Sequence, residues 1–146
     1  MADLPLVFYF RVEFLFSDGQ SDIDMRFQEV SGLGAEIGVE EFNEGGENRF
    51  SRKLPGRAKF GNLVLKRAMA ADSRLVEWIE SAVYGFEFEP VDLLVSLLNE
   101  NGDPLFTWSF TRAWPVKWQA ADLNATESAL AIETIELSYD YFTRSA

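Results

Sequence analysis

Leu6-Val7-Phe8-Tyr9-Phe10-Arg11-Val12-Glu13-Phe14-Leu15-Phe16 is the stretch on which the fold turns. Leu6, Phe8, Phe10, Val12, Phe14 and Phe16 take every second position, and Val7, Tyr9, Arg11, Glu13 and Leu15 fill the others. Successive strand side chains point to opposite faces, so this pattern predicts a long strand with one wholly apolar side. Arg11 and Glu13 interrupt the run well short of spanning length, and no basic region precedes it. It therefore reads neither as a signal peptide nor as a membrane span, and the protein is expected to be soluble.

Downstream, Ser17-Asp18-Gly19-Gln20 reads as a turn, and Ile23, Met25 and Phe27 alternate with polar neighbours as a second strand. Leu33, Ala35, Ile37 and Val39 predict a third, softened by glycines. Residues 43 to 62 break the pattern: Asn43-Glu44-Gly45-Gly46-Glu47-Asn48 is rich in turn formers and Leu54-Pro55-Gly56-Arg57 is a strong turn signal. That region is expected to be a long loop or extended arm with room for a short strand, and loops of this length are usually functional or disordered. Asn62-Leu63-Val64-Leu65-Lys66 reads as a further strand.

One helix is expected, capped by Asp72 or Ser73, carrying Leu75, Trp78, Ile79, Ala82 and Val83 as its apolar stripe, and ended by Gly85. After it come an apolar strand from Val91 to Leu98, a hairpin turn at Asn99-Glu100-Asn101-Gly102-Asp103, and a strand through Phe106, Trp108 and Phe110. A short strand opening at Pro115 follows, then a last one through Ile135, Leu137, Tyr139 and Tyr141. Residues 1–146 thus predict a single, mainly β domain: an antiparallel barrel or sandwich of about seven or eight strands with one flanking helix.

Composition narrows function by exclusion. With no Cys and no His, the chain lacks disulfides, thiol and imidazole catalysis and the common zinc and haem ligands. A net charge of −11 opposes docking on nucleic acid or anionic membranes, although an acidic-walled channel would let a polyanion pass without sticking. The carboxylate pairs Asp22/Asp24, Glu77/Glu80 and Glu87/Glu89 resemble glycosidase acid–base pairs, but an acidic chain produces such pairs on solvated faces. Gly45-Gly46 and Gly32-Leu33-Gly34 lack the Lys-Ser/Thr and the strand–helix context of nucleotide loops. Trp108, Trp114, Trp118, Tyr139 and Tyr141 would suit a sugar- or base-stacking platform, yet their alternation equally describes core or interface.

The charge layout carries more information. Glu36, Glu40, Glu41, Glu44 and Glu47 form an acidic tract without a basic residue. Arg49, Arg52, Lys53, Arg57, Lys59, Lys66 and Arg67 follow without an acid, seven of the thirteen basic side chains in the chain. A solvated loop with local ion pairs is one reading. The other is a head-to-tail contact, in which a basic arm of one copy meets an acidic surface of the next and so builds rings or filaments. Apolar residues on both faces of the strands add a second pointer, because the helix or another subunit must then cover the second face.

Taken in order, these segments resemble the tail tube proteins of contractile phages and phage-tail-like injection systems. The resemblance runs from Phe8-Tyr9-Phe10-Arg11-Val12 through Phe27-Gln28-Glu29-Val30-Ser31-Gly32-Leu33 to Glu44-Gly45-Gly46-Glu47-Asn48 and Leu54-Pro55-Gly56-Arg57. It continues with Gly61-Asn62-Leu63-Val64-Leu65-Lys66-Arg67 and Trp78, and then Trp114-Pro115-Val116-Lys117-Trp118 and Asp122-Leu123-Asn124-Ala125. It closes with Ile132-Glu133-Thr134-Ile135-Glu136-Leu137-Ser138-Tyr139. It implies hexameric rings stacked into a hollow tube, with sheath, baseplate, spike and terminator proteins as partners, cargo or DNA in the lumen, and no cofactor or catalysis. It also implies assembly in the bacterial cytoplasm into a particle without a membrane anchor. On this reading Glu40, Glu41, Glu44, Glu47, Arg49, Arg52, Lys53, Arg57 and Lys59 are expected at subunit interfaces. A tube initiator of the baseplate is the nearest alternative. A small carbohydrate-binding or glycan-cleaving β-sandwich, or more remotely a lipocalin-like carrier, is the alternative of another class.

Overall fold

The computed structural model describes residues 9–16, 19, 21–24, 27–42, 52–69, 74–120 and 131–145. In chain order they form β1 (Tyr9–Leu15), β2 (Ser21–Asp24), β3 (Phe27–Ser31), β4 (Ala35–Phe42), β5 (Arg52–Phe60) and β6 (Leu63–Ala68). Helix α1 (Arg74–Gly85) follows, then β7 (Val91–Leu98), β8 (Pro104–Ala120), β9 (Ile132–Ser138) and β10 (Tyr141–Ser145). One antiparallel sheet runs β2-β1-β7-β8-β9-β6-β3, with β10 also paired to β8, while β4 and β5 form a separate two-stranded ribbon.

The opening alternation holds from Tyr9 onward, while Leu6, Val7 and Phe8 lie outside the described residues. Val12, Phe14 and Phe16 are buried, and β1 lies antiparallel to β7 with Val12 opposite Val95 and Phe14 opposite Leu93. Their apolar face meets Leu63, Leu65, Ile135 and Leu137 from β6 and β9, so the sheet folds over into a sandwich-like core. The turn at residues 99–103 is held by the Asn99 side chain, whose Oδ1 accepts the amides of Asn101 (2.9 Å) and Asp103 (3.0 Å). Gly102 supplies the positive φ of 85° that this turn requires.

Helix α1 buries Leu75, Val76, Trp78, Ile79 and Ala82, while Val83, expected in the stripe, is exposed. The Trp78 ring meets Phe14 at 6.0 Å and Phe16 at 6.1 Å, and its indole N–H donates to the Glu89 carbonyl at 2.7 Å. The helix therefore packs on the Phe face and leaves Tyr9 and Leu15, on the other side of β1, partly exposed. Its end differs in detail from expectation. The left-handed residue is Phe86 (φ 50°), one position beyond Gly85, and the Glu87 amide donates to the Ser81 carbonyl at 3.0 Å. The expected caps Asp72 and Ser73 lie outside the described residues.

Among the described residues there are ten strands where seven or eight were expected: two expected strands each divide, β5 lies where a loop was expected, and two expected strands merge. The alternation through Ile23 and Phe27 is two strands: β2 pairs with β1 and β3 with β6, so Ile23 is exposed while Phe27 is buried. The run to Tyr141 is also two strands, since pairing breaks at Tyr139-Asp140, beside the bend of β8, and β10 then continues in the same direction along the first half of β8. Conversely, the two strands expected around Phe106 and Pro115 are one. β8 spans 17 residues, pairing with β7 and β10 in its first half and β9 in its second. It bends at Arg112 (φ 57°), whose amide is taken by Asp92 Oδ1 at 3.1 Å, and tolerates Pro115 at a register shift.

Arg67 also differs from expectation. It belongs not to an exposed basic arm but to the interior, where its Nε donates to Glu133 Oε1 at 2.6 Å, with exposures of 0% and 2%. The second Glu133 oxygen accepts the Trp118 indole N–H at 3.0 Å, and the Arg67 guanidinium lies over the Phe27 ring at 5.5 Å. A buried charge pair with its lone pairs filled in this way tolerates loss of neither partner.

Candidate assembly surface

β3 and β6 are antiparallel neighbours, Ser31 opposite Val64, and β4 and β5, which lie between them in the chain, form a ribbon outside their sheet. Gly32 (φ 89°) makes the exit, and a Cβ there would collide with the Asn62 carbonyl, so only glycine fits. Where it is described, from residue 52, the segment read as a loop or arm is mostly strand. Leu54-Pro55-Gly56-Arg57 is no turn but the middle of nine-residue β5, paired with β4 from Ala35 opposite Phe60 to Phe42 opposite Arg52. The pairing slips by one residue between Ile37 and Val39, where Gly56 and Gly38 approach so closely that a Gly56 Cβ would stand 3.1 Å from the Gly38 carbonyl. That bulge absorbs Pro55, which a central strand would not accept.

The ribbon is two-faced. Ile37, Ala58, Val39 and Pro55 share one side in register, with Ile37 66% and Val39 65% exposed; the other side carries Glu36, Lys59, Glu40, Leu54, Phe42 and Arg52. A two-stranded hairpin with no third strand and no packed face is at best marginally stable in water. At its root, Phe60 lies against Phe142 (5.3 Å) and Tyr139 (6.1 Å), tying the ribbon to β10. The Tyr139 hydroxyl is buried there with no partner among the described residues, and burial pushes its pKa up.

The acidic tract and the basic tract are thus the two strands of one ribbon: Glu36 stands opposite Lys59, and Glu41 opposite Lys53. Glu40, Arg57 and the rest of the expected interface set within β4 and β5 are exposed. Glu44, Glu47 and Arg49 lie outside the described residues. Lys66 is not part of the arm and pairs with Glu29 at 3.3 Å on the sheet surface.

A second surface was not anticipated. Tyr84, Phe86, Phe88, Trp114 and Val116 line a groove between the end of α1, the segment after it, and the second half of β8. Phe86 and Phe88 meet edge to face at 4.9 Å, and Phe88 and Trp114 at 5.6 Å. Alternation in Phe86-Glu87-Phe88-Glu89 was the signal available, but it has no strand around it to give it meaning. Of the aromatics considered for a stacking platform, Trp114 and Trp118 line this groove and the others do not gather here. Trp118 is engaged with Glu133, Trp108 packs beside Phe106 at 6.2 Å, and Tyr139 belongs to the root of the ribbon. Glu77 and Glu80 are exposed on α1, the Asp22 and Asp24 side chains lie outside what is described, and no metal-binding cluster occurs among the described residues.

An antiparallel β sandwich that displays an exposed two-stranded ribbon, apolar in part and charged in part, and an open aromatic groove has the surfaces of a domain that associates. The particular family is fixed by sequence: residues 6–143 match the T4-like virus tail tube protein gp19 family, and the chain belongs to it. Among solved structures, a chain of the anti-feeding prophage baseplate, 6-fold symmetrised, is 28% identical, with a TM-score of 0.81 over 99% of this chain and 97% of that one. A chain of the sheath-tube complex of the extracellular contractile injection system PVC, in its extended state, is 27% identical, with a TM-score of 0.75 over 94% and 88%. Hcp1 from Flavobacterium johnsoniae, 17% identical with a TM-score of 0.58 over 93% and 94%, shares the fold. No curated protein matches the sequence.

Proposed function

We propose that the chain is the protomer of the inner tube of a contractile phage tail or phage-tail-like injection system, six copies closing a ring and rings stacking into a hollow tube. The observation that carries this reading is the β4–β5 ribbon, an apolar two-stranded projection on a tail-tube-family domain that acquires a stable environment only against another subunit. Membership of the family and the similarity to a chain of a sheath-tube complex support it. The interface draws on Glu40, Glu41, Arg52, Lys53, Arg57 and Lys59, together with Glu44, Glu47 and Arg49. Sheath, baseplate with spike, and terminator proteins are its partners, and cargo or DNA passes through the lumen without specific binding. The role is structural, with no catalysis and no membrane anchor, in a particle assembled in the bacterial cytoplasm and cell-associated or released when mature. No helix among the described residues is long and apolar enough to cross a membrane.

Likeness to a chain of a baseplate structure favours a second reading, in which the chain starts the tube at the baseplate rather than extending it. Negative-stain electron microscopy of the purified protein tests the first. Rings or stacked tubes with sixfold end views are expected, and a uniform population of monomers at every concentration and salt overturns it.

A further inference from the structure

The ribbon joins the sandwich through two glycines that their surroundings do not require. Its ladder ends with Ala35 opposite Phe60, and the next residue toward the sandwich is a glycine on both strands, Gly34 and Gly61. Neither has a positive φ, and a Cβ at either would meet nothing within 4 Å. Gly32 is different, because the Asn62 carbonyl leaves no room there for a Cβ. What glycine supplies at Gly34 and Gly61 is backbone freedom, on both strands at one level. An open cleft of about 510 Å³ lies beside them, lined by Gly34, Ala35, Glu36, Lys59, Phe60 and Gly61. Freedom to pivot and room to do so coincide at the root of the ribbon.

The seat of the ribbon is aromatic. Phe60 lies against Phe142 at 5.3 Å and Tyr139 at 6.1 Å, and Tyr139 also meets Phe110 at 4.8 Å and Phe142 at 6.2 Å. Inside that cluster the Tyr139 hydroxyl is buried with no partner among the described residues. A hydroxyl shut away from water without a hydrogen bond opposes the arrangement that buries it. Of the three rings around Tyr139, only Phe60 belongs to the ribbon. We propose that the β4–β5 ribbon is a hinged arm that pivots at Gly34 and Gly61, and that Phe60 on Tyr139 and Phe142 is its latch, kept weak by the buried hydroxyl. Withdrawing Phe60 opens that hydroxyl to water, so the latched and released postures stay close in free energy. The device acts within one copy and goes beyond the tube reading: it holds the arm on its own domain until another surface takes it.

The chain has no cysteine, so spin labels attach only where cysteines are introduced. Val39→Cys on the ribbon and Glu80→Cys on α1 are both at exposed positions, and pulsed electron paramagnetic resonance reads the distance between them in dispersed protein. With the native hinge and latch, two populations or one broad one are expected. Tyr139→Phe removes the unpartnered hydroxyl and should raise the ratio of latched to released arm at least about fivefold. Gly34→Ala with Gly61→Ala, which both sites accommodate, should narrow the distribution to a single peak. A single narrow peak with the native hinge and latch, or a distribution that Tyr139→Phe leaves unshifted, overturns the latch. Full breadth retained in the alanine variant overturns the pivot. These distances need no polymer, so either failure leaves the tube reading standing, and a chain that stays monomeric in the microscope leaves the hinge and latch standing.

Discussion

The buried Arg67–Glu133 pair shows how a single residue can be misplaced by charge alone. Arg67 closes a run of basic residues and looks like part of a surface tract, yet strand alternation on β6 turns it inward with Leu63 and Leu65. There its stability depends on Glu133, whose two oxygens are taken by Arg67 and Trp118. Glu133→Gln leaves the guanidinium uncompensated and is expected to cost about 3 to 5 kcal/mol, read as a drop in the urea midpoint. The double replacement Arg67→Met with Glu133→Leu, which removes both charges, should recover most of that loss. If the single variant is as stable as wild type, the pair is not the constraint argued here. Gly32 is the opposite case, since its necessity follows from the Asn62 carbonyl behind it, a contact between residues thirty positions apart that no local pattern displays.

At the scale of elements, the ribbon separates folding from assembly. Reversing both Arg52 and Lys53 to Glu sets a like charge opposite Glu41 and strips the basic edge of β5. Like charges facing across a strand pair cost about 0.2 to 1 kcal/mol, and here that loss falls on the ribbon and not on the sandwich. Polymer is expected to disappear while the Trp fluorescence unfolding curve stays within about 0.5 kcal/mol of wild type. Tubes of normal length at physiological salt would show that these two side chains do not contribute to docking. The elements most legible in the sequence were those whose pattern and punctuation agree: β1, α1, β7 and the Asn99 turn. Those misread share one cause. Period-two alternation says that a segment is strand but not which strand it pairs with, so β2 and β3 look continuous although their partners change, and it does not show the break at Asp140 where β9 and β10 pass the bend of their common neighbour β8. Pro55-Gly56 and Pro115 carry turn chemistry but sit at register shifts inside strands. The arm itself was legible from its charge reversal, whereas the aromatic groove was not, because it exists only where α1 and β8 come together.

The whole molecule carries a net charge of −11, so every copy repels the next over a distance set by salt. The screening length falls from about 30 Å at 0.01 M to about 8 Å at 0.15 M, which silences the long-range repulsion while short ion pairs at a contact survive. The polymer fraction, followed by sedimentation, is expected to rise between those two concentrations; a monotonic fall would mean that contact pairs outweigh the net charge even at long range.

The root of the arm has a consequence for how such a molecule can change. β3 and β6 are adjacent partners, and the β4–β5 ribbon lies in the connection between them. Loop length is thermodynamically inexpensive once the flanking pairing is secure. The arm is therefore a cassette: it can lengthen, shorten or exchange its surface while the register of the sandwich beneath stays as it is. Such a domain can acquire new neighbours in a particle by rewriting one insertion, and it keeps an inherited scaffold through each revision.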